Sequence, residues 1–273
     1  MLAALRNSLI DPRIAEIDKD SEDRIRVHNE ILSSKKMMRE VFAEFYSTCT
    51  KIADTQFTCK DGKELEIGAG VSFFRTVRPN LIVTDIVPAP HLDMVLDAQN
   101  MHQIEDNSLK AIYALNVFHH LPDPGEFFRE IIRVLKPGGG CILIEPFYGT
   151  LAKPFYKNLH ESEHFNINQK EWEAKEETGV MTNANQALSY IVLVRDRARF
   201  MASFPELEIV ISKPLQNYLR YLFSGGINFK QLLPDFCIPV LKLMEKMLIP
   251  VSRYTALHHI IVIRKKAWKS NYE

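Results

Sequence analysis

The residues best suited to chemistry begin at Glu64-Leu65-Glu66-Ile67-Gly68-Ala69-Gly70, an apolar strand pattern that runs into two glycines. The first glycine lets the chain turn sharply, and the second lets backbone approach a ligand where a β-carbon would intrude. A second strand pattern, Leu81-Ile82-Val83-Thr84, ends on Asp85. An acid at that tip is placed to accept hydrogen bonds from ribose hydroxyls, so the pair of strands describes a nucleoside site. Phe73 stands where a G-x-G-x-x-G dinucleotide loop needs its third glycine, which argues against a nicotinamide-dependent reductase. There is no G-x-x-x-x-G-K-[ST] phosphate loop either. A short E-x-G-x-G loop suits a cofactor with no phosphate to cradle.

Histidines are the candidates for proton transfer, because imidazole titrates near neutral pH. His119 and His120 follow the apolar run Ala111-Ile112-Tyr113-Ala114-Leu115. His160 and His164 lie four apart beside Glu161 and Glu163, hence on one face if that segment is helical. Each pair has a plainer reading: a loop imidazole hydrogen-bonded beneath a ligand, or a mixed-charge surface helix. The four-residue spacing also suits a metal, but no third ligand is evident, and no metal site is expected.

Taken in order, residues from about Glu64 to Pro146 resemble the core of a class I S-adenosylmethionine-dependent methyltransferase. Leu65-Glu66-Ile67-Gly68-Ala69-Gly70 is similar to the family's first motif and Val83-Thr84-Asp85-Ile86 to its ribose-binding strand end. Leu96-Asp97-Ala98 resembles the segment against the adenine, and Ala111 to Leu121 the fourth strand and its loop. Arg133-Val134-Leu135-Lys136-Pro137-Gly138-Gly139 and Cys141-Ile142-Leu143-Ile144-Glu145 resemble the late helix, turn and fifth strand. Ser72 departs from the third glycine found in many members. The match covers about a third of the chain.

The resemblance implies a Rossmann-like, doubly wound α/β sheet of seven strands with the last antiparallel, N-terminal helices and helical cap insertions. It implies S-adenosyl-L-methionine as cofactor and S-adenosyl-L-homocysteine as product. Glu66, Gly68, Ala69 and Gly70 would then frame the methionine end, and Asp85 with Ile86 the ribose. Asp97 and Ala98 would border the adenine, with Asn116 beneath the methionine part. Methyl transfer is an in-line displacement, in which positioning can suffice without a dedicated base. A catalytically silent cofactor-binding partner subunit is the alternative.

The elements that must position these residues fall into four segments. Residues 1–60 read as helices, with Ile31, Met38, Val41, Phe42 and Phe45 at helical intervals; they either cover the cofactor pocket or merely pack. Residues 61–149 alternate strand and helix, the pattern of a parallel sheet. Within them Asp123-Pro124 starts a helix, as capping acid and first-turn proline, and Pro137-Gly138-Gly139-Gly140 stops it. Residues 150–205 mix aromatic and polar side chains, and the resemblance implies that they form an inserted, substrate-side segment. Residues 206–273 hold the last two strands, Leu207–Ile211 and His259–Ile263, around an apolar insertion at 218–250. Charged side chains and prolines interrupt that insertion, so it does not span a bilayer. A cap on the protein's own core, a pocket roof, a homo-oligomer contact and a membrane-surface contact all stay open.

Composition narrows the partners. The chain has 273 residues with 34 basic and 34 acidic side chains. That balance removes the electrostatic argument for nucleic acid, which needs concentrated Lys and Arg. Four scattered cysteines without C-x-x-C spacing suit a reducing, cytoplasmic setting. The expected acceptor is a small molecule: a sugar or glycan-precursor hydroxyl, or an apolar polyketide- or quinone-like compound.

Overall fold

The computed structural model describes residues 7–15, 23–159, 163–174 and 184–267. Seven strands form one sheet: β1 Lys63–Ile67, β2 Ile82–Asp85, β3 Met94–Val95, β4 Leu109–Leu115, β5 Leu135–Pro146, β6 Leu207–Pro214 and β7 His258–Lys265. Their spatial order is β3-β2-β1-β4-β5-β7-β6. Strands β1 to β5 pair in parallel, and β7 runs antiparallel between β5 and β6. The final strand is therefore the antiparallel one, inserted between two strands that share a direction. Because β4 returns to the other side of β1, the order reverses between them. Open α/β sheets bind ligands outside the carboxyl ends of the strands at such a reversal.

Both faces of the sheet are covered. Helix α2, Lys36–Gln56, lays Val41, Phe45, Tyr46, Cys49 and Ile52 against Val83, Tyr113, Ile142, Ile144 and Val262. On the opposite face α3, Pro124–Val134, and α5, Arg197–Ser203, bring Phe127, Phe128, Ile131 and Phe200 onto Leu65, Ile112, Leu143 and Ile261. Asp123 caps α3 as expected, its Oδ1 accepting from Gly125 N at 2.7 Å and Glu126 N at 3.3 Å.

The N-terminal helices include α1 Asp23–Ser34 and α2, separated at Lys35, and two local expectations further along the chain need correction. Lys35 is buried there, its ammonium donating to the carbonyls of Gly226 and Phe229. Strand–helix alternation fails early: between Gly70 and β2 there is only a single 3₁₀ turn, Phe74–Thr76. Tyr46 of α2 stacks on Phe74 and meets Phe73 edge-on, covering the sheet where a crossover helix would otherwise lie. Finally, α3 ends at Val134, and Pro137–Gly140 belong to β5 rather than to a helix stop. Gly138 takes φ +80°, and a β-carbon on Gly140 would lie 2.3 Å from the Phe57 ring. These glycines let strand backbone pass under the residues that follow α2.

The region 218–250 contains α6, Tyr218–Ser224, and α7, Ile238–Met247. Arg220 anchors it: its Nε lies 2.7 Å from Glu245 of α7, and its terminal nitrogens lie 2.7 and 2.6 Å from the Glu44 carboxylate of α2. No helix among the described residues is long and apolar enough to cross a membrane.

Candidate active site

A cavity of about 1010 Å³ opens over the carboxyl ends of β1, β2 and β4. The glycine loop forms its floor. Gly68 has φ +61°, and a β-carbon there would come within 2.4 Å of the Val117 side chain. Gly70 has φ +52° and meets nothing within 4 Å of the same construction, so its bare backbone faces open space. Gly70 N donates to Asp85 Oδ2 at 2.8 Å, while Asp85 Oδ1 accepts from Val87 N at 3.0 Å. The acid thus ties the loop to the end of β2, and each oxygen keeps a further lone pair.

Ile86, Asp97, Ala98 and Asn116 continue the wall. Asp97 Oδ1 receives Gln99 N at 2.8 Å, which holds its turn. Asn116 sits at φ +56°, uncommon for a residue with a side chain, and its amide donates to Ile144 O. Two loop residues lie elsewhere. Glu66 and Ala69 are not on the cavity wall. Glu66 is buried behind the loop, where its Oε2 accepts from Ser72 Oγ at 2.8 Å. Burial pushes its carboxyl up to about 8, although the Ser72 hydrogen bond and Arg75 oppose this. Ser72, a departure from the glycine pattern, is therefore tied to Glu66 and also accepts from Phe74 N at 3.0 Å.

The histidine pair is organised by a residue that sequence reasoning treated only as a strand end. Glu145 is fully buried in β5. Its Oε1 accepts from Val117 N and Phe118 N at 2.9 and 2.8 Å, and its Oε2 lies 2.6 Å from His119 Nδ1. The other ring nitrogen of His119 lies 3.6 Å from Glu163 Oε2. Burial alone would lower the pKa of His119, but Glu145 and then Glu163 raise it to about 10. His119 is accordingly an imidazolium at neutral pH. His120 differs: burial and the neighbouring His119 charge lower it to about 4, so it is neutral. Its Nδ1 has no hydrogen-bond partner, and its Nε2 lies 4.0 Å from Glu163 Oε1. The fold gathers His119, His120 and Glu163, with one ligand-type atom of each inside a 4.8 Å span, a cluster separate from the His160 and His164 pair whose spacing the sequence offered. Glu145 and Glu163 ion-pair with His119 within it.

His160 lies outside the described residues. His164 is exposed and pairs through its backbone with the strand-like turn at Asn185, rather than standing on a helix. It lines the cavity, as do Gln169, Lys170 and Trp172 of the inserted segment. Trp172 Nε1 donates to Asp196 at 3.0 Å, and the Arg199 guanidinium lies 4.3 Å above its ring. From the N-terminal side, Arg24, Ile25 and His28 of α1 close the opposite wall. Burial and then Arg24 lower the His28 pKa to about 4. Neither Arg24 nor His28 carries a local signal, because α1 reaches the site only through the packing of α2.

Comparison with known proteins agrees with this geometry. Residues 65–143 match the family described as a methyltransferase domain. The chain is 24% identical to the thiol S-methyltransferase TMT1A of Homo sapiens over 172 residues, 55% of this chain and 69% of that protein. It is 32% identical to cycloartenol-C-24-methyltransferase 1 of Oryza sativa subsp. japonica over 101 residues, 37% of this chain and only 24% of that protein. Among solved structures, the geranyl diphosphate C-methyltransferase of Streptomyces coelicolor A3(2), in complex with Mg2+, geranyl diphosphate and S-adenosyl-L-homocysteine, superposes with a TM-score of 0.51. That likeness covers 95% of this chain and 90% of that one at 14% identity, and it establishes shared fold alone.

Proposed function

This chain carries a class I S-adenosylmethionine-dependent methyltransferase domain, and we propose that its acceptor is a small molecule of largely apolar character. The cavity carries this reading. At about 1010 Å³ it stands at the top of the range of roughly 300–1,000 Å³ that encloses a single drug-sized ligand. That leaves room for an acceptor beside the cofactor. Leu121, Trp172 and Leu188 give the space beyond the glycine loop apolar walls, while Asn166, Gln169, Lys170, Glu171, Glu173 and Asn185 add polar groups. The named activities of the relatives, on a thiol and on a sterol, are in keeping with this class. Among the acceptor classes the sequence leaves open, the apolar side chains on this wall favour a quinone- or polyketide-like hydroxyl over a sugar.

The residues present suit the cofactor. Gly70 offers backbone with open space above it, and the Asp85 carboxylate keeps hydrogen-bonding capacity for a ribose. Ile86 would lie beside the ribose, Asp97 and Ala98 would border the adenine, and Gly68 with Asn116 the methionine part. Bound there, the cofactor supplies a sulfonium methyl already activated for displacement. The protein's task is to hold the acceptor in line, exclude water and take a proton from a hydroxyl or thiol. His119 is unsuited to that last role, because its imidazolium already carries the proton. His120 is neutral, lines the cavity and lies beside Glu163, so we assign it the proton-accepting role.

The deciding experiment incubates purified protein with methyl-labelled S-adenosylmethionine and a panel of phenols, quinols, thiols, sterols, sugars and RNA. Label on an apolar small molecule is expected. Label on RNA alone would refute the acceptor class, and label on sugars alone would refute its apolar character.

A further inference from the structure

Helix α7 has two apolar faces, and the fold covers one. Ile238, Leu241 and Glu245 are buried against the body of the protein. Val240, Leu243, Met244 and Met247, at the i, i+3, i+4 and i+7 positions of a second stripe, are 59%, 60%, 44% and 72% exposed. Phe236, in the turn before the helix, is 81% exposed. The stripe continues through Ile249, Val251 and Tyr254 in the turns that follow, and Leu151 N donates to Tyr254 O at its edge. Large apolar side chains gathered this way on a surface mark an interaction site.

The exposed charge of this face itself is basic. From Phe236 to Leu257 the only acid is Glu245, which is buried and paired with Arg220, and Asp235 just before it accepts from Gln231 Nε2 at 2.9 Å. The exposed charges there are Lys246 and Arg253, and Lys153 and Lys157 are exposed on the neighbouring helix, α4 Ala152–Leu159. Lys242 is engaged with Glu40 and Glu44 of α2. A two-fold pairing of copies through this face would set Lys246 and Arg253 of one copy toward those of the other, while the flanking acids Glu40 and Glu44 are already engaged by Lys242 and Arg220. Anionic headgroups answer Lys246 and Arg253 directly. A short helix with an apolar stripe and basic flanks lies in the plane of a bilayer interface rather than across it.

We propose that the outer face of α7, with the turns around Phe236 and Ile249–Tyr254, docks on the surface of an anionic phospholipid bilayer. The inference stands apart from the acceptor assignment, since none of these residues lines the cavity.

Full-length protein sedimented with sucrose-loaded vesicles tests it. It should pellet with an equal mixture of phosphatidylcholine and phosphatidylserine, and far less with phosphatidylcholine alone. Phe236→Ser with Met247→Ser should reduce partitioning by about tenfold or more, given the apolar area withdrawn. Lys246→Gln with Arg253→Gln should reduce binding to the anionic mixture by about fivefold for each side chain. Unchanged affinity for S-adenosylhomocysteine shows that these surface variants remain folded. Wild-type protein left in the supernatant with the anionic vesicles overturns the proposal, as does a serine variant that pellets normally. A stable dimer in sedimentation velocity that Phe236→Ser with Met247→Ser dissociates would instead make this face a subunit contact.

Discussion

Glu145 Oε2 lies 2.6 Å from His119 Nδ1, while the other oxygen of the same carboxylate receives two backbone amides of the loop that carries the histidine. One buried acid in β5 thus sets both the path of the loop after β4 and the charge of its first imidazole. Glu145→Ala removes the nearer of the two carboxylates that answer that charge and leaves both amides unanswered. Removing one partner of a buried pair costs about 3–5 kcal/mol, and a loss of that size is expected in chemical denaturation. A variant as stable as the wild type would remove Glu145 from its organising role.

The same pair makes stability depend on pH in a definite direction. The folded-state pKa of His119, about 10, lies above the ordinary 6.5. Its contribution is therefore full below pH 6.5 and is lost as pH rises toward 10. The stability difference between wild type and His119→Gln should be largest at pH 6 and shrink steadily up to pH 10. A difference independent of pH across that window contradicts a protonated His119.

His120 carries the chemical prediction. His120→Ala should lower kcat by about 10²–10⁴-fold on a hydroxyl or thiol acceptor, the range for a positioned proton acceptor. Affinity for S-adenosylhomocysteine should change little. An equal loss of cofactor affinity would assign His120 to binding instead.

The two loop glycines should respond differently. Gly68→Ala drives a methyl into Val117 and should destabilise the protein as well as abolish binding. Gly70→Ala meets no protein atom, so its stability cost is the left-handed backbone alone, about 1–2 kcal/mol. Its methyl nevertheless projects where the ligand approaches. Thermal melts with and without S-adenosylhomocysteine separate the two effects.

Asp85→Ala should weaken S-adenosylhomocysteine binding by about 1.5–3 kcal/mol, the range for hydrogen bonds to a charged group. Calorimetric titration of the folded variant measures it directly. Unaltered affinity would leave Asp85 as a loop clamp only.

How much of this was legible varies by residue. Gly68, Gly70 and Asp85 announce themselves because a tight turn and a strand-end acid are local requirements. His120 was visible as one of four candidate histidines, yet nothing nearby in the chain distinguishes it from His119. The distinction comes from Glu145 and Glu163, which the fold delivers from 26 and 44 residues further along the chain. The expectation that His160 and His164 share a helical face failed at His164, whose backbone bonds to Ala184 and Gln186 instead.

By itself, then, the amino-acid sequence determined the order of strands, the glycine loop, the Asp123 cap and the class of cofactor. Those features depend on backbone conformations and residue periodicities that act within a few positions. Tertiary structure decided which imidazole holds a proton and which acid organises it. It also decided that α1 reaches the cavity and which apolar stripe of α7 stays uncovered. Such outcomes depend on burial and on charges brought together across the sheet, and periodicity shows that a helix has an apolar face without showing what lies against it.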